Sequence, residues 1–388
     1  MASPTWYQAI PKGEWAAIPS SVLSSSGVME TSGGKQMEAW GGAILVTGGL
    51  YIGSTQTTGT FLIPWGGGHT DYSGNEIYAF GPLENNSPAW NKLRNPTSPA
   101  PQDINTDGSG NPVSRHTYNT AVYINDGTNN IMLMMGVIFR YIDSGGGTEM
   151  HAFNFNQTGP NTNQPWSTFA NLTSGNCDVA AYYPAAGRVF YHKNSANHAG
   201  YFNVAAGTFS DDTFKSPLGY GGGGMSAMDN TRGIWCLWDN SNGLSFFDAV
   251  NGLTGDYYRP RTRGDIPARA DGTGTATIGT LGWDSLRDRF VFWFDGAGKK
   301  IYELIPPAAN PYQNGDPWTW KLITPGSGST PTSPWANGTY GRFQCVNNNT
   351  DIRGYILMNK ATDSLYFYNS SIETPGVRPT LRKFPPLG

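Results

Sequence analysis

The sequence has few of the features that mark the commoner functional classes. It carries three cysteines in 388 residues, Cys177, Cys236 and Cys345, and none lies in a CxxC pair. This spacing excludes a zinc knuckle and a thioredoxin-type motif, and the odd number excludes a fully paired set of disulfides. Charged residues make up only 14%, the net charge is −3 and no long basic run occurs, so no nucleic-acid partner is expected. The chain has no run of 18 apolar residues, so we expect no membrane span.

Glycine, proline and aromatic residues are abundant instead. There are 51 glycines and 27 prolines, and aromatic residues make up 13%. A chain that is rich in glycine and aromatics and poor in charge is typical of short strands joined by tight turns. Apolar residues alternate with a period of two rather than 3.6, so we expect few helices.

One pattern of strands recurs along the chain. An apolar strand and a short polar turn precede a more strongly apolar strand, and a loop rich in Gly or Asn leads to an aromatic strand. The second strands of the units are residues 59–65, 130–137, 188–192, 233–238, 289–294 and 353–358. The third strands are residues 76–80, 149–155, 199–204, 244–248, 300–304 and 364–368. Fourth strands begin near Trp90, Trp166 and Trp318 in three of the units.

The length of the repeat predicts an all-β propeller of six or seven four-stranded antiparallel blades. Successive second strands start about 45 to 71 residues apart, which suits propeller blades and is too long for the rungs of a β-helix. A β-sandwich is the other alternative. Residues 5–18 resemble a fourth strand without a blade of its own. We expect residues 1–388 to form one domain, with the ring closed by pairing of the N- and C-terminal strands.

Counting strands within each blade assigns the loops to faces. Connections between blades share one face with the loops that join second and third strands. Four of the five histidines fall on this face, His69, His116, His192 and His198, whereas His151 lies inside a third strand. Histidine and tyrosine can transfer protons near neutral pH, and arginine can hold a carboxylate. We therefore expect His69, His116, His192 and Tyr220 to be catalytic. The predicted substrate-binding residues are Tyr72, Arg115, Arg140, Tyr141, His198, Trp238 and Arg261.

This set of side chains suits β-elimination of a polysaccharide that contains uronic acid. The carboxylate must be neutralised, a base must remove the C5 proton and an acid must protonate the leaving oxygen. The expected partner is thus an anionic polysaccharide, acted on by a monomeric, extracellular or virion-associated protein. The residues MASPTWYQAIP at the N-terminus do not read as a signal peptide. The expected reaction requires no cofactor, and the histidines are possible ligands for a structural metal ion.

A resemblance supports the same chemistry. The stretch WGGGHTDYSGNEIYAF, followed by SRHTYNTAVYI, resembles bacterial kelch-like propeller proteins, most of all those grouped with the ulvan lyases of propeller fold. The resemblance is concentrated in residues 65–124. It implies a His and Tyr pair for proton transfer, with Arg and His around the uronate carboxylate. Only His69 and His116 are carried over through the matching segments, so Tyr220 and Arg140 rest on the face assignment.

Two other functions fit the sequence. A propeller without catalytic activity can bind a glycan or serve as a phage receptor-binding protein. A glycoside hydrolase needs two facing carboxylates, for which Asp71, Glu76 and Asp239 are the candidates near the same face.

Overall fold

The structure is a computed structural model, and its description covers most of the chain. The described residues are 3–29, 41–66, 74–96, 111–135, 149–156, 166–171, 177–193, 198–215, 224–239, 243–250, 257–267, 279–294, 298–333, 338–347 and 352–370. Within these ranges the helices are short: an α-helix at Thr5–Gln8 and 3-10 turns at Leu23–Ser25 and Pro184–Ala186. None of the described helices is long and apolar enough to span a membrane.

Twenty-six strands account for nearly all the regular structure of the described residues. Blade 1 contains β2 (Gly42–Val46), β5 (Phe61–Trp65), β6 (Ile77–Gly81) and β7 (Ala89–Arg94), and the small hairpin β3 (Leu50–Ile52) and β4 (Thr55–Thr57) joins its first two strands. Blade 2 contains β8 (Ala121–Asn125), β9 (Asn130–Met134), β10 (Glu149–Asn154) and β11 (Ser167–Asn171). Blade 3 contains β12 (Cys177–Tyr183), β13 (Arg188–Lys193), β14 (His198–Asn203) and β15 (Thr208–Lys215).

The remaining blades show the same order with local variations. Blade 4 contains β16 (Met225–Asp229), β17 (Ile234–Asp239) and β18 (Gly243–Asp248), and a bridge from Phe246 to Tyr258 marks the place of a fourth strand. Blade 5 contains β20 (Thr280–Asp284), β21 (Arg289–Trp293), β22 (Ile301–Ile305) and β23 (Trp318–Ile323), with β19 (Thr262–Gly264) added in parallel outside β23. Blade 6 contains β24 (Phe343–Asn347), β25 (Arg353–Leu357), β26 (Tyr366–Asn369) and the N-terminal strand β1 (Trp15–Ala17).

These sheets form a six-bladed β-propeller, built from the described residues. The first strands of the six blades contact one another in sequence around the axis, and β24 returns to β2. In blade 6, β1 lies antiparallel to β26, with Trp15 opposite Tyr368. The outermost strand of the last blade therefore comes from the start of the chain, which joins the two ends of the ring.

The second strands are apolar throughout because each blade is covered on both sides. All five residues of β5 and all six of β17 are buried. In the cluster between blades 1 and 2, Trp65 of blade 1 packs against Trp166 of blade 2, with ring centroids 5.1 Å apart. Neighbouring blades thus bury both faces of each sheet. The second strands are therefore mostly apolar and do not show the alternation of polar and apolar residues that a half-exposed strand has.

The propeller has two ends, which we name by their loops. The upper face carries the connections between blades, including residues 111–120, and the C-terminal ends of the second strands. The lower face carries the turns between first and second strands, including residues 126–129, 184–187, 230–233 and 285–288. First strands run from the upper face to the lower face, and second strands return.

Candidate functional site

The connection that leads into blade 2 is held tightly on the upper face. Ser114 donates a hydrogen bond from Oγ to the carbonyl of Gly66 at 3.0 Å, and Thr117 donates from Oγ1 to the carbonyl of Trp65 at 2.8 Å. The same Thr117 Oγ1 accepts from the backbone N–H of Gly42 at 2.7 Å. Residues 111–120 are buried almost throughout. This network fixes the backbone from which His116 and Tyr118 project.

His116 and Tyr118 form a hydrogen-bonded pair. The Nδ1 atom of His116 lies 3.1 Å from the hydroxyl oxygen of Tyr118. Tyr118 has a φ of 42°, a left-handed conformation that bulky residues rarely adopt. A turn in which Thr120 N–H donates to the carbonyl of Thr117 at 2.8 Å supports that conformation. Burial, and after it the negative charge of Asp178, raises the pKa of Tyr118, so its hydroxyl keeps its proton at neutral pH.

A second pair joins His192 to Asp178 in blade 3. Cys177 pairs with Lys193 and Val179 with His192, so Asp178 is the extra residue of a β-bulge. A bulge can redirect a side chain, and here the Oδ1 atom of Asp178 lies 2.6 Å from Nδ1 of His192. Both side chains are buried, at 1% and 0% exposed. Nε2 of His192 has no hydrogen-bond partner among the described residues. A carboxylate at Nδ1 favours the tautomer whose Nε2 can accept a proton.

The two pairs are adjacent because their backbones are joined. Asn119 N–H donates to the carbonyl of Asp178 at 3.2 Å, and Ala180 N–H donates to the carbonyl of Asn119 at 2.8 Å. This short parallel bridge brings the connection into blade 2 against the first strand of blade 3. Tyr118 also contacts Tyr340 of the connection into blade 6, with ring centroids 5.1 Å apart. Groups from three blades therefore meet at one place on the upper face.

Arg115 and His151 add a cation and a neutral imidazole to the buried groups of the upper face. Arg115 is 1% exposed, and its Nε donates to the carbonyl of Val113 at 3.1 Å. Burial, and after it the charge of Arg115, lowers the pKa of His151 to about 3. From its place within a third strand, His151 is not expected among the upper-face histidines. In the structure it pairs with Met134, the last residue of β9, and thus lies at the upper end of blade 2.

Other predicted site residues lie elsewhere or outside the described residues. Trp238 is fully buried and packs against Phe292 and Trp320, so its ring has no exposed face on which a sugar could stack. Arg261 is exposed, but it precedes β19 at the outer edge of blade 5, away from the propeller axis. His198 begins β14, where its backbone pairs with Lys193. His69, Tyr72, Arg140, Tyr141 and Tyr220 lie outside the described residues.

Sequence reasoning missed Asp178 as a functional candidate. The signal was a lone carboxylate within the apolar run CDVAAYY, a position at which an unpaired charge is costly. Of the hydrolase carboxylates, Glu76 and Asp239 are both buried, Glu76 accepts from the hydroxyl of Tyr78 at 3.3 Å, and Asp71 lies outside the described residues. No group of three or more His, Cys, Asp or Glu side chains in the described part of the chain is arranged to hold a metal ion.

The fold is a six-bladed propeller, and His, Tyr and Asp side chains that could transfer protons are buried on its upper face. No family model matches the chain, and no curated protein matches it. Among solved structures it is similar to the major allergen Mala s 1 of Malassezia sympodialis, with 9% identity over 93% of this chain and 96% of that chain and a TM-score of 0.49. It is also similar to a chain of the nidogen/laminin complex, with 11% identity over 77% of this chain and 98% of that chain and a TM-score of 0.40. A chain of the mitotic checkpoint complex shows 9% identity over 95% of this chain and 96% of that chain, with a TM-score of 0.42.

These similarities concern the fold alone. The assignment of the propeller rests on the strand order and on the closed ring of first strands.

Proposed function

We propose that the chain is a polysaccharide lyase that cleaves a uronic-acid-containing polysaccharide by β-elimination at the upper face. The observation that carries the proposal is the Asp178–His192 pair, whose Nε2 has no partner among the described residues, next to the His116–Tyr118 pair. An acid and a base on adjacent connections are what this reaction needs. The resemblance of residues 65–124 to kelch-like propellers of the ulvan lyase group adds support.

In the proposed reaction, His192 is the base and the His116–Tyr118 pair is the acid. Nε2 of His192 takes the proton from C5 of the uronate, and Asp178 stabilises the imidazolium that forms. The electron pair of the C–H bond becomes the C4–C5 double bond, and the bond from C4 to the glycosidic oxygen breaks. That oxygen receives a proton from the pair, in which the raised pKa of Tyr118 keeps the hydroxyl protonated. Arg115 supplies positive charge for the carboxylate.

The proposed base and acid are buried, so the proposed reaction requires access to the upper face. His116 is 3% exposed and His192 is fully buried, so a polysaccharide reaches them only if the upper face opens when it binds. We propose an anionic polysaccharide as the partner and an extracellular or virion-associated setting for the protein, because polymers of this kind lie outside cells.

Incubation with a panel of uronate polysaccharides tests the reaction. β-Elimination produces an unsaturated uronate, so absorbance at about 235 nm should rise, and His192→Ala should lower the initial rate about 10²–10⁴-fold. Tyr302→Phe, in the outer part of blade 5, is the control and should retain the wild-type rate. Release of reducing ends without a rise in absorbance would identify a hydrolase and refute the lyase. No product on the whole panel would also refute it.

Glycan binding without catalysis is the second candidate, and the near-complete burial of His116 and His192 favours it. It predicts that the chain binds a polysaccharide without forming product and that His116→Ala leaves the affinity unchanged.

A further inference from the structure

A cavity of about 440 Å³ lies on the propeller axis. Residues from the first strands of all six blades form its wall. Small residues, Ala181, Ala227 and Gly282, stand near the middle of three consecutive first strands in this wall. Thr47, at the end of β2, and Asn230, in the turn after β16, lie at its lower end. The cavity has the volume of a small-molecule site.

Uncharged side chains, both polar and apolar, line this cavity. Its lining residues, all of them described, include no Asp, Glu, Lys, Arg or His. A charged ligand would find no counter-charge among them, which is unfavourable. The cavity therefore favours a neutral ligand.

The backbone orients two of the lining amides. Nδ2 of Asn119 donates to the carbonyl of Ser226 at 2.9 Å. Nε2 of Gln344 donates to the carbonyl of Ala43 at 3.0 Å and to that of Gly341 at 2.7 Å. Both N–H groups of Gln344 and one of Asn119 are engaged in this way. Each amide keeps a carbonyl oxygen that can accept a hydrogen bond. A ligand rich in hydroxyl groups supplies the matching donors.

Three aromatic residues, Tyr123, Tyr182 and Trp283, also line the cavity, and each is partly exposed. Aromatic side chains combine a large apolar face with a polar tip in tyrosine and tryptophan. The C–H face of a sugar ring packs on such a surface while its hydroxyl groups bond to neighbouring amides. We propose that the axial cavity binds a short neutral saccharide. The cavity extends from Asn119, in the upper-face connection into blade 2, to the lower-face turns, and its lining includes neither His116 nor His192. The proposal does not rest on the lyase activity.

Binding of matched sugars to the full chain tests the site. Glucose and cellobiose should give saturation-transfer NMR signals and calorimetric heats with a Kd at or below about 1 mM, and glucuronate, which differs from glucose by its carboxylate, should bind at least tenfold more weakly. Ala227→Phe fills the cavity and should abolish binding. Ala185→Phe, an exposed position in the lower-face turn, is the matched control and should bind as the wild type does. Thermal unfolding of each variant confirms folding, and Tyr182→Ala is the second test of the site.

Three results would overturn the proposal. The first is no binding of any neutral sugar in a panel of glucose, galactose, xylose, maltose and cellobiose at about 10 mM. The second is undiminished binding by both folded Ala227→Phe and Tyr182→Ala. The third is glucuronate binding as tight as that of glucose. If the wild type binds neutral sugars but forms no unsaturated product on the uronate panel, this site stands and the proposed function is refuted.

Discussion

The β-bulge at Asp178 places a carboxylate beside the imidazole of His192. In a regular strand pair, successive side chains point to opposite faces of the sheet. Val179 pairs with His192, so without a bulge the side chain of Asp178 would point away from the imidazole. The bulge between Cys177 and Val179 instead brings the carboxylate of Asp178 to 2.6 Å from the imidazole. A bulge leaves little trace in a single sequence, which is why the sequence did not indicate that Asp178 contacts His192.

Tyr118 stands two residues after His116, but this spacing alone does not show that the two side chains meet. Tyr220, the tyrosine chosen from loop position, lies outside the described residues and stays a prediction. The left-handed turn at Tyr118 returns its hydroxyl to the imidazole of His116, and this turn depends on hydrogen bonds to blade 1 that are distant in sequence.

Replacing His151 by Leu should make folding less sensitive to acid. Burial and the charge of Arg115 lower the pKa of His151 from 6.5 to about 3. Between these values the unfolded chain binds a proton that the folded chain does not, so the free energy of unfolding falls as the pH decreases through this window. Urea unfolding between about pH 7 and pH 4 should show a wild-type slope that is steeper by up to about 1.4 kcal/mol per pH unit. Equal slopes in the two proteins would contradict the assignment, whatever the difference in stability at neutral pH.

At the scale of the strand, Trp15 of β1 contacts two blades where the ring closes. Trp15 is fully buried, its indole N–H donates to the carbonyl of Lys299 in blade 5 at 3.0 Å, and its ring centroid lies 5.5 Å from that of Tyr368 in blade 6. A three-residue strand has few ladder bonds of its own. The buried tryptophan adds to the backbone hydrogen bonds that attach β1 to the ring.

Trp15→Ala should therefore lower the free energy of unfolding by about 3–5 kcal/mol, the usual cost of removing a large buried aromatic side chain. Urea unfolding followed by fluorescence measures the change. Val250→Ala, at an exposed apolar position, is the control and should change stability by less than about 0.5 kcal/mol. A similar small change at Trp15 would show that β1 does not hold the ring together.

At the scale of the molecule, the repeat could be predicted from the sequence because every second strand is buried on both faces. The expected second strand at 289–294 is β21 at Arg289–Trp293, and that at 353–358 is β25 at Arg353–Leu357. The choice between six and seven blades could not be made, since it depends on whether the terminal pieces form a blade of their own. The structure has six blades, with β1 completing the last one.

The two faces of the propeller carry carboxylates with different surroundings. Asp178 on the upper face is buried against His192. Asp126 on the lower face is exposed and accepts hydrogen bonds from the backbone N–H groups of Thr128 and Asn129, at 3.0 and 2.7 Å. We therefore expect the upper-face carboxylate to support chemistry and the lower-face carboxylate to support a turn.

The most direct test of the proposed lyase activity is kcat/KM of the wild type, Asp178→Asn and Asp126→Asn on the panel of uronate polysaccharides. Asparagine keeps the shape and removes the charge that stabilises the imidazolium, so Asp178→Asn should lower kcat/KM about 10²–10⁴-fold. Asp126→Asn should keep the wild-type value. Wild-type kcat/KM in a folded Asp178→Asn variant would contradict the account, because the Asp178–His192 pair would then have no part in the reaction.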